Sequence, residues 1–185
     1  MPFKTGGALA EYLRGEAKLP EGTSLEDASE EFALQRGDAG LISELQQEFT
    51  AREVSATQIE ILRQPWKRVW TTNYDNVAEI SAARAGKRLT PVTLSDDRRD
   101  VPTSGTLSVH LTGYIDRVTQ SKLWSEIKLT DTSYLTASIV QSPWSVLLLQ
   151  DVQAARAVFF VGYSTSDLAG CGKMGVLAEL STCRG

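Results

Sequence analysis

The 185-residue sequence predicts an α/β protein, a mostly parallel sheet with flanking helices that is preceded by a helical region. Three observations predict it. An apolar run at Val69, Trp70 and Thr71 stops abruptly at Asn73 and Asp75. A second, over residues 107–110, passes into Thr112 and Gly113, and a third, over residues 157–161, passes into Gly162, Ser164 and Asp167. Strands that finish in polar or glycine-rich chemistry suit the carboxyl edge of a parallel sheet, where open α/β sheets bind their ligands.

Residues 1–64 read as helical. Ala8, Leu9, Tyr12 and Leu13 make one apolar face, which Pro20 and Gly22 bring to an end. Ser24 reads as an N-cap, with Glu26 and Asp27 in the first turn, where carboxylates suit the helix dipole. That helix is expected to end near Gly37, and a second to run over residues 39–49 with Leu41, Ile42, Leu45 and Phe49 at helical spacing. Ser55 caps a short helix carrying Ile59, Ile61 and Leu62, and Pro65 closes it.

After Pro65 the pattern changes to strands alternating with helices. The expected order is a strand over 68–72, a helix over 75–85, a short strand over 89–94, a polar loop over 95–106 and a strand over 107–111. Thr130 reads as the N-cap of a long helix, interrupted at Pro143, that reaches residue 155; the strand over 157–161 follows. The chain thus divides into a helical region (1–64), a portion that carries the site (65–168) and a terminal stretch (169–185). In the last stretch Gly170, Gly172 and Gly175 crowd together with Cys171, and the composition is that of a divergent or disordered tail.

Composition narrows the function classes. Hydrophobic residues make up 42% and charged residues 23%, as in a globular protein, and a net charge of −4 argues against direct nucleic-acid binding. Arg98 and Arg99 sit among Asp96, Asp97 and Asp100 and read as a solvated loop. No apolar run approaches the roughly 20 residues that span a bilayer, and no hydrophobic segment of a secretory signal opens the chain, so a cytoplasmic location is expected. Two cysteines and one histidine cannot supply a four-ligand zinc set. The tryptophans at 66, 70, 124 and 144 read as core or groove packing.

Four motifs in order then carry a resemblance: Trp70 to Asp75 (WTTNYD), Val109 to Gly113 (VHLTG), Leu129 to Tyr134 (LTDTSY) and Phe160 to Asp167 (FVGYSTSD). Together they resemble sirtuin-like domains, most of all the prokaryotic branch of anti-phage defence proteins that hydrolyse NAD. The resemblance covers about residues 60–168 and implies a Rossmann-like fold, NAD as substrate and no metal. Lysine deacylation fits less well, because it usually accompanies a four-cysteine zinc module.

Cleaving the bond between nicotinamide and ribose leaves positive charge on the sugar, as in glycoside hydrolysis. An asparagine amide both donates and accepts, so it can hold water and ribose together, and a histidine can take a proton from a hydroxyl. The resemblance assigns these parts to Asn73 and His110. Without it, Asn73 also reads as a turn residue and His110 as a satisfied core histidine. Thr72, Asp75, Gly113, Gly162, Ser164 and Asp167 are implied contacts to NAD. Asp75 and Asp167 read equally as helix caps, and Gly113 as a turn glycine.

One part of the family pattern is missing. Such domains open with a strand leading into a glycine-rich loop that cradles pyrophosphate at a helix N-terminus. Here Gly6, Gly7 and Ala8 open a helix, and Met1 to Thr5 are too few for a buried strand. The sheet is therefore expected to be incomplete at its N-terminus. A second reading follows, a catalytically inactive remnant that binds a nucleotide or acts through protein contacts. The implied partners are NAD or a related nucleotide, and a defence-system protein or a second copy of the chain.

Overall fold

The computed structural model describes residues 6–102, 104–127, 129 and 141–162. Helix α1 spans Gly6–Ala17 and packs against α2, Leu25–Phe49. Ser24 caps α2, its Oγ accepting from the Asp27 backbone N–H at 3.0 Å. The expected break at Gly37 is present as a kink, with φ 76° and ψ 160°, a backbone conformation that residues with a Cβ avoid. Helical hydrogen bonding resumes at once, so the two expected helices form one bent rod. Its apolar side chains Phe32, Leu41 and Leu45 close over Leu9 and Leu13 of α1 and over Ile115 from the sheet portion.

Helix α3, Ala56–Arg63, begins with a reciprocal capping box: Ser55 Oγ accepts from the Gln58 N–H, and the Gln58 side chain accepts from the Ser55 N–H. At its other end the Lys87 ammonium donates to the Arg63 carbonyl and, at 2.7 Å, to that of Gln64, a cation placed on a helix C-terminus.

Strand β1, Arg68–Thr71, leads through α4, Val77–Arg84, into β2, Leu89–Thr93; β3, Thr106–His110, follows the polar loop. The sheet order is β1-β3-β2 and both pairings are parallel. Pro91, which has no N–H to donate, lies on an outer strand of these three. β3 lies between its neighbours, with Leu107, Ser108, Val109 and His110 all buried. Register matters most at the carboxyl end: His110 is level with Thr71 on one side and Thr93 on the other. A 3-10 turn at Ile115–Arg117 and a one-turn helix α5, Leu123–Glu126, complete the first of two units, Met1–Asp131.

In the second unit, Thr132–Gly185, helix α6 covers Trp144–Ala154 and starts directly after Pro143. Proline is tolerated at such a start because the first N–H groups of a helix have no intrahelical partner. Gln141 is helical and Ser142 and Pro143 are not, so the interruption expected at Pro143 is present, while Thr130 lies outside the described residues. The strand expected over 157–161 is corrected. Residues 157–161 are not a strand of the described sheet, and Phe159 and Phe160 are 66% and 53% exposed. An apolar run is compatible with a buried strand but does not by itself make one, and the described sheet is built of β1, β3 and β2.

Candidate functional site

The end of β3 is where the chemistry gathers. His110 is completely buried there, and the two chain segments leaving β1 and β3 are laced together in parallel. The Leu111 N–H donates to the Thr71 carbonyl at 2.9 Å, the Thr112 hydroxyl to the Thr72 carbonyl at 2.8 Å, and the Ile115 N–H to the Tyr74 carbonyl at 2.9 Å. The lacing brings the turn that holds Asn73 across the imidazole. Asn73 is exposed, its N–H donates to Thr71 Oγ1 at 3.0 Å, and its carbonyl lies 3.1 Å from His110 Nδ1.

The second imidazole nitrogen meets a residue that was not singled out from the sequence. Nε2 lies 3.0 Å from Glu79 Oε1 on α4, and the same oxygen accepts the Ser108 hydroxyl. The signal was present: Ser108 and His110 are two apart on a strand and share a face, while Asp75 and Glu79 are four apart at a helix start. Tyr114 closes the ring from the side, with centroids 4.4 Å apart.

Asp75 and Glu79 face opposite electrostatic outcomes. Burial pushes the Asp75 carboxyl up; a hydrogen bond from the Val77 N–H, 3.1 Å from Oδ1, and the His110 charge offset this only in part. At Glu79 burial again pushes up, but hydrogen bonds from His110 and Ser108 and the charge of His110 reverse it, so the carboxyl is held down. Two carboxylates with divergent tendencies beside one histidine are the kind of arrangement that separates proton-holding from charge-holding roles. The Tyr114 hydroxyl is pushed up by burial and by the nearby carboxylates.

Thr72 therefore lies at the site through its carbonyl, and Asp75 accepts from the Val77 N–H at the start of α4. Gly113 has φ 108°, and a Cβ there would stand 1.9 Å from the Glu126 carbonyl oxygen. The close approach that demands glycine is with the chain's own backbone. Gly162, in the second unit, is exposed at φ 77° with nothing within 4 Å of a Cβ; it follows no strand. Ser164 and Asp167 lie outside the described residues, as does the stretch 169–185.

Two further polar groupings flank the histidine. Asn76, 6% exposed, ties the helical region to the sheet: its Oδ1 accepts from the Ala51 N–H and its Nδ2 donates to Asp116, both at 2.8 Å. Beyond β2, Asp96 accepts from both terminal guanidinium nitrogens of Arg117 at 2.6 and 2.7 Å, and the Ser95 hydroxyl donates to the buried Glu126 at 2.7 Å. Asp96 thus leaves the basic loop to its solvated members, such as Arg99, whose contact with Asp97 lies at the surface. Of the tryptophans, Trp144 is 1% exposed and Trp66 donates to the Ile61 carbonyl at 2.7 Å, but Trp124 is 42% exposed.

Among the described residues no group of three or more His, Cys, Asp or Glu side chains is placed to hold a metal, and no helix is long and apolar enough to cross a membrane. Residues 67–169, more than half of the chain, match the family model described as SIR2-like domain. No curated protein matches the chain.

Proposed function

The chain belongs to the SIR2-like family, and on that premise we propose that it hydrolyses NAD to nicotinamide and ADP-ribose with Asn73 and His110 as the central pair. The observation that supports this most is the 3.1 Å approach of His110 Nδ1 to the Asn73 turn at the carboxyl end of the central strand. Ligands of parallel α/β sheets bind at that edge. In this reading the Asn73 side chain holds water and ribose, and His110 takes the proton of the attacking water or of a ribose hydroxyl. Asp75 lies within the same turn and accepts from the Val77 N–H at the start of α4. Hydrogen-bond acceptors that hold the ribose hydroxyls more strongly as the sugar becomes cationic would raise the rate of cleavage rather than merely tighten binding. Motif order extends the proposal to anti-phage defence in the cytoplasm, with a defence-system protein or a second copy of the chain as partner.

A second reading has its own observation. His110 is fully buried, and both of its nitrogens are engaged by the protein itself. A site that stays closed in this way belongs to a non-catalytic module that binds a nucleotide or another protein. Nicotinamide release from NAD by the purified chain separates the two. Hydrolysis requires release by the parent that His110→Ala and Asn73→Ala each reduce by roughly 10²-fold or more. A folded parent that releases none, yet binds ADP-ribose in a calorimeter, belongs to the second reading.

A further inference from the structure

Two donors converge on a single oxygen at the centre of this site. Glu79 Oε1 accepts the Ser108 hydroxyl and faces His110 Nε2 at 3.0 Å. Because Ser108 and His110 are alternate residues of β3, both reach toward α4, and the Ser108 bond fixes the carboxylate that the imidazole meets. The partner of Nδ1 is of another kind, a main-chain carbonyl in the exposed turn after β1. One nitrogen is gripped from a helix, the other only covered by a turn.

Resting on the NAD-hydrolysis reading, we propose that Glu79 is the positioning residue of this site: it keeps the proton on His110 Nε2 and thereby makes Nδ1 the working nitrogen once the Asn73 carbonyl moves aside. Each ring nitrogen faces an oxygen, but only the one at Nε2 belongs to a carboxylate, the stronger acceptor of a ring proton. The other groups against the ring are Asp75, at the start of α4, and Tyr114, after β3. Burial pushes Asp75 and Tyr114 up, whereas at Glu79 the hydrogen bonds of His110 and Ser108 overcome burial, so Glu79 is the carboxylate whose charged form its neighbours favour. When the Asn73 turn opens, the neutral ring keeps its Nε2–H on Glu79 and presents the Nδ1 lone pair. Nδ1 then takes a proton from the attacking water as its oxygen bonds to the ribose carbon and nicotinamide departs with the electron pair of the broken bond. The imidazolium so formed is again paired with Glu79.

His110 is the only histidine in the chain, so a histidine-labelled sample gives nitrogen NMR signals from this one ring. The parent is expected to show the Nε2–H signal. Glu79→Leu, which offers no acceptor, is expected to lose Nε2–H and to carry the ring proton on Nδ1 against the Asn73 carbonyl. No Nε2–H signal in the parent, or Nε2–H surviving in Glu79→Leu, overturns the assignment. Should Glu79→Leu fail to fold, the parent spectrum alone decides whether Nε2 carries the proton. Nicotinamide release is read separately. Glu79→Gln is expected to lower kcat by roughly 10- to 100-fold with little change in KM, and Glu79→Asp, which restores the charge, to recover part of it. An unchanged kcat in Glu79→Gln overturns the positioning role. If no sample releases nicotinamide while the spectra behave as expected, the NAD reading fails and the Glu79–His110 pairing stands.

Discussion

Where α1 and α2 meet, the buried side chains are Leu9, Leu13, Phe32, Leu41 and Leu45; at the carboxyl end of the sheet they are Asp75, Asn76, Thr93, Ser108, His110 and Glu126. The first set is held by removal of apolar surface from water, about 1.5–3 kcal/mol for each large side chain and with no directional demand. Members of the second set are held by partners at defined distances. Each hydrogen bond adds only about 0.5–1.5 kcal/mol net, whereas a buried group that loses its partner costs about 1–3 kcal/mol. The helical region should therefore tolerate a change of shape and the sheet end should not tolerate a change of partner. Stability is concentrated in the one and chemistry in the other.

The largest expected effect tests the apolar side of this contrast. Phe32→Ala removes a ring that is 1% exposed and also lies 5.0 Å beneath the Arg36 guanidinium. It should lower unfolding free energy by about 4 kcal/mol, read as a lower urea midpoint, while Phe32→Leu should cost less than half of that. An equal loss from both changes would mean that this core is as exacting as the polar end.

Gly113→Ala carries the contrast to the sheet end. The added Cβ meets the Glu126 carbonyl, and φ 108° is strained for any residue with a side chain. A loss of about 3 kcal/mol is expected for a single methyl group, with hydrogen exchange fastest around residues 111–127. A near-neutral outcome would show that the α5 turn can move away, and that the polar end is softer than its hydrogen bonding implies.

Legibility in the sequence follows the same division. The helices, their caps at Ser24 and Ser55, and the break at Gly37 depend on neighbours within four residues, and the sequence displays those directly. Strands β1, β2 and β3 were legible because apolar runs and turn residues bound them. His110 and Asn73 were legible through motif order, and the structure brings them together. Glu79 was not: its partners Ser108 and His110 lie 29 and 31 residues away, and only the pairing of β1 with β3 places α4 over them. The segment at 157–161 failed for the converse reason, since its composition is that of a strand but its pairing is a tertiary matter.

A smaller effect returns to the helical region. Ser55→Ala removes one half of the capping box of α3, a helix with no fully buried side chain. The expected cost is about 1 kcal/mol, measured by thermal unfolding, with local exchange at residues 56–59 raised before any global change. Ser55→Asp should restore most of it, because the aspartate both caps and suits the helix dipole.

The smallest effect has the opposite sign and draws the contrast most finely. Asp75 is 8% exposed and its carboxyl is pushed above the usual carboxylate range, chiefly by burial. The folded state therefore holds the Asp75 proton more tightly than the unfolded chain does. The stability that this confers is full below the unfolded value of 3.8 and is lost as pH rises through the folded value, so at neutral pH the ionised group opposes folding. Asp75→Asn keeps an oxygen for the Val77 N–H and discards the charge, so it should raise the thermal midpoint slightly at pH 7, the gain fading as pH falls toward 4. Glu79, held down by His110 and Ser108, behaves in reverse: its contribution is full above 4.5 and disappears on acidification. Measuring both pH profiles sets two carboxylates of one helix start against each other. If Asp75→Asn is stabilising yet lowers nicotinamide release, the charge is retained for the site at the expense of the fold, which is what a working sheet edge requires. If it stabilises and leaves release unchanged, Asp75 is a cap alone, and the chemistry narrows to Asn73, His110 and Glu79.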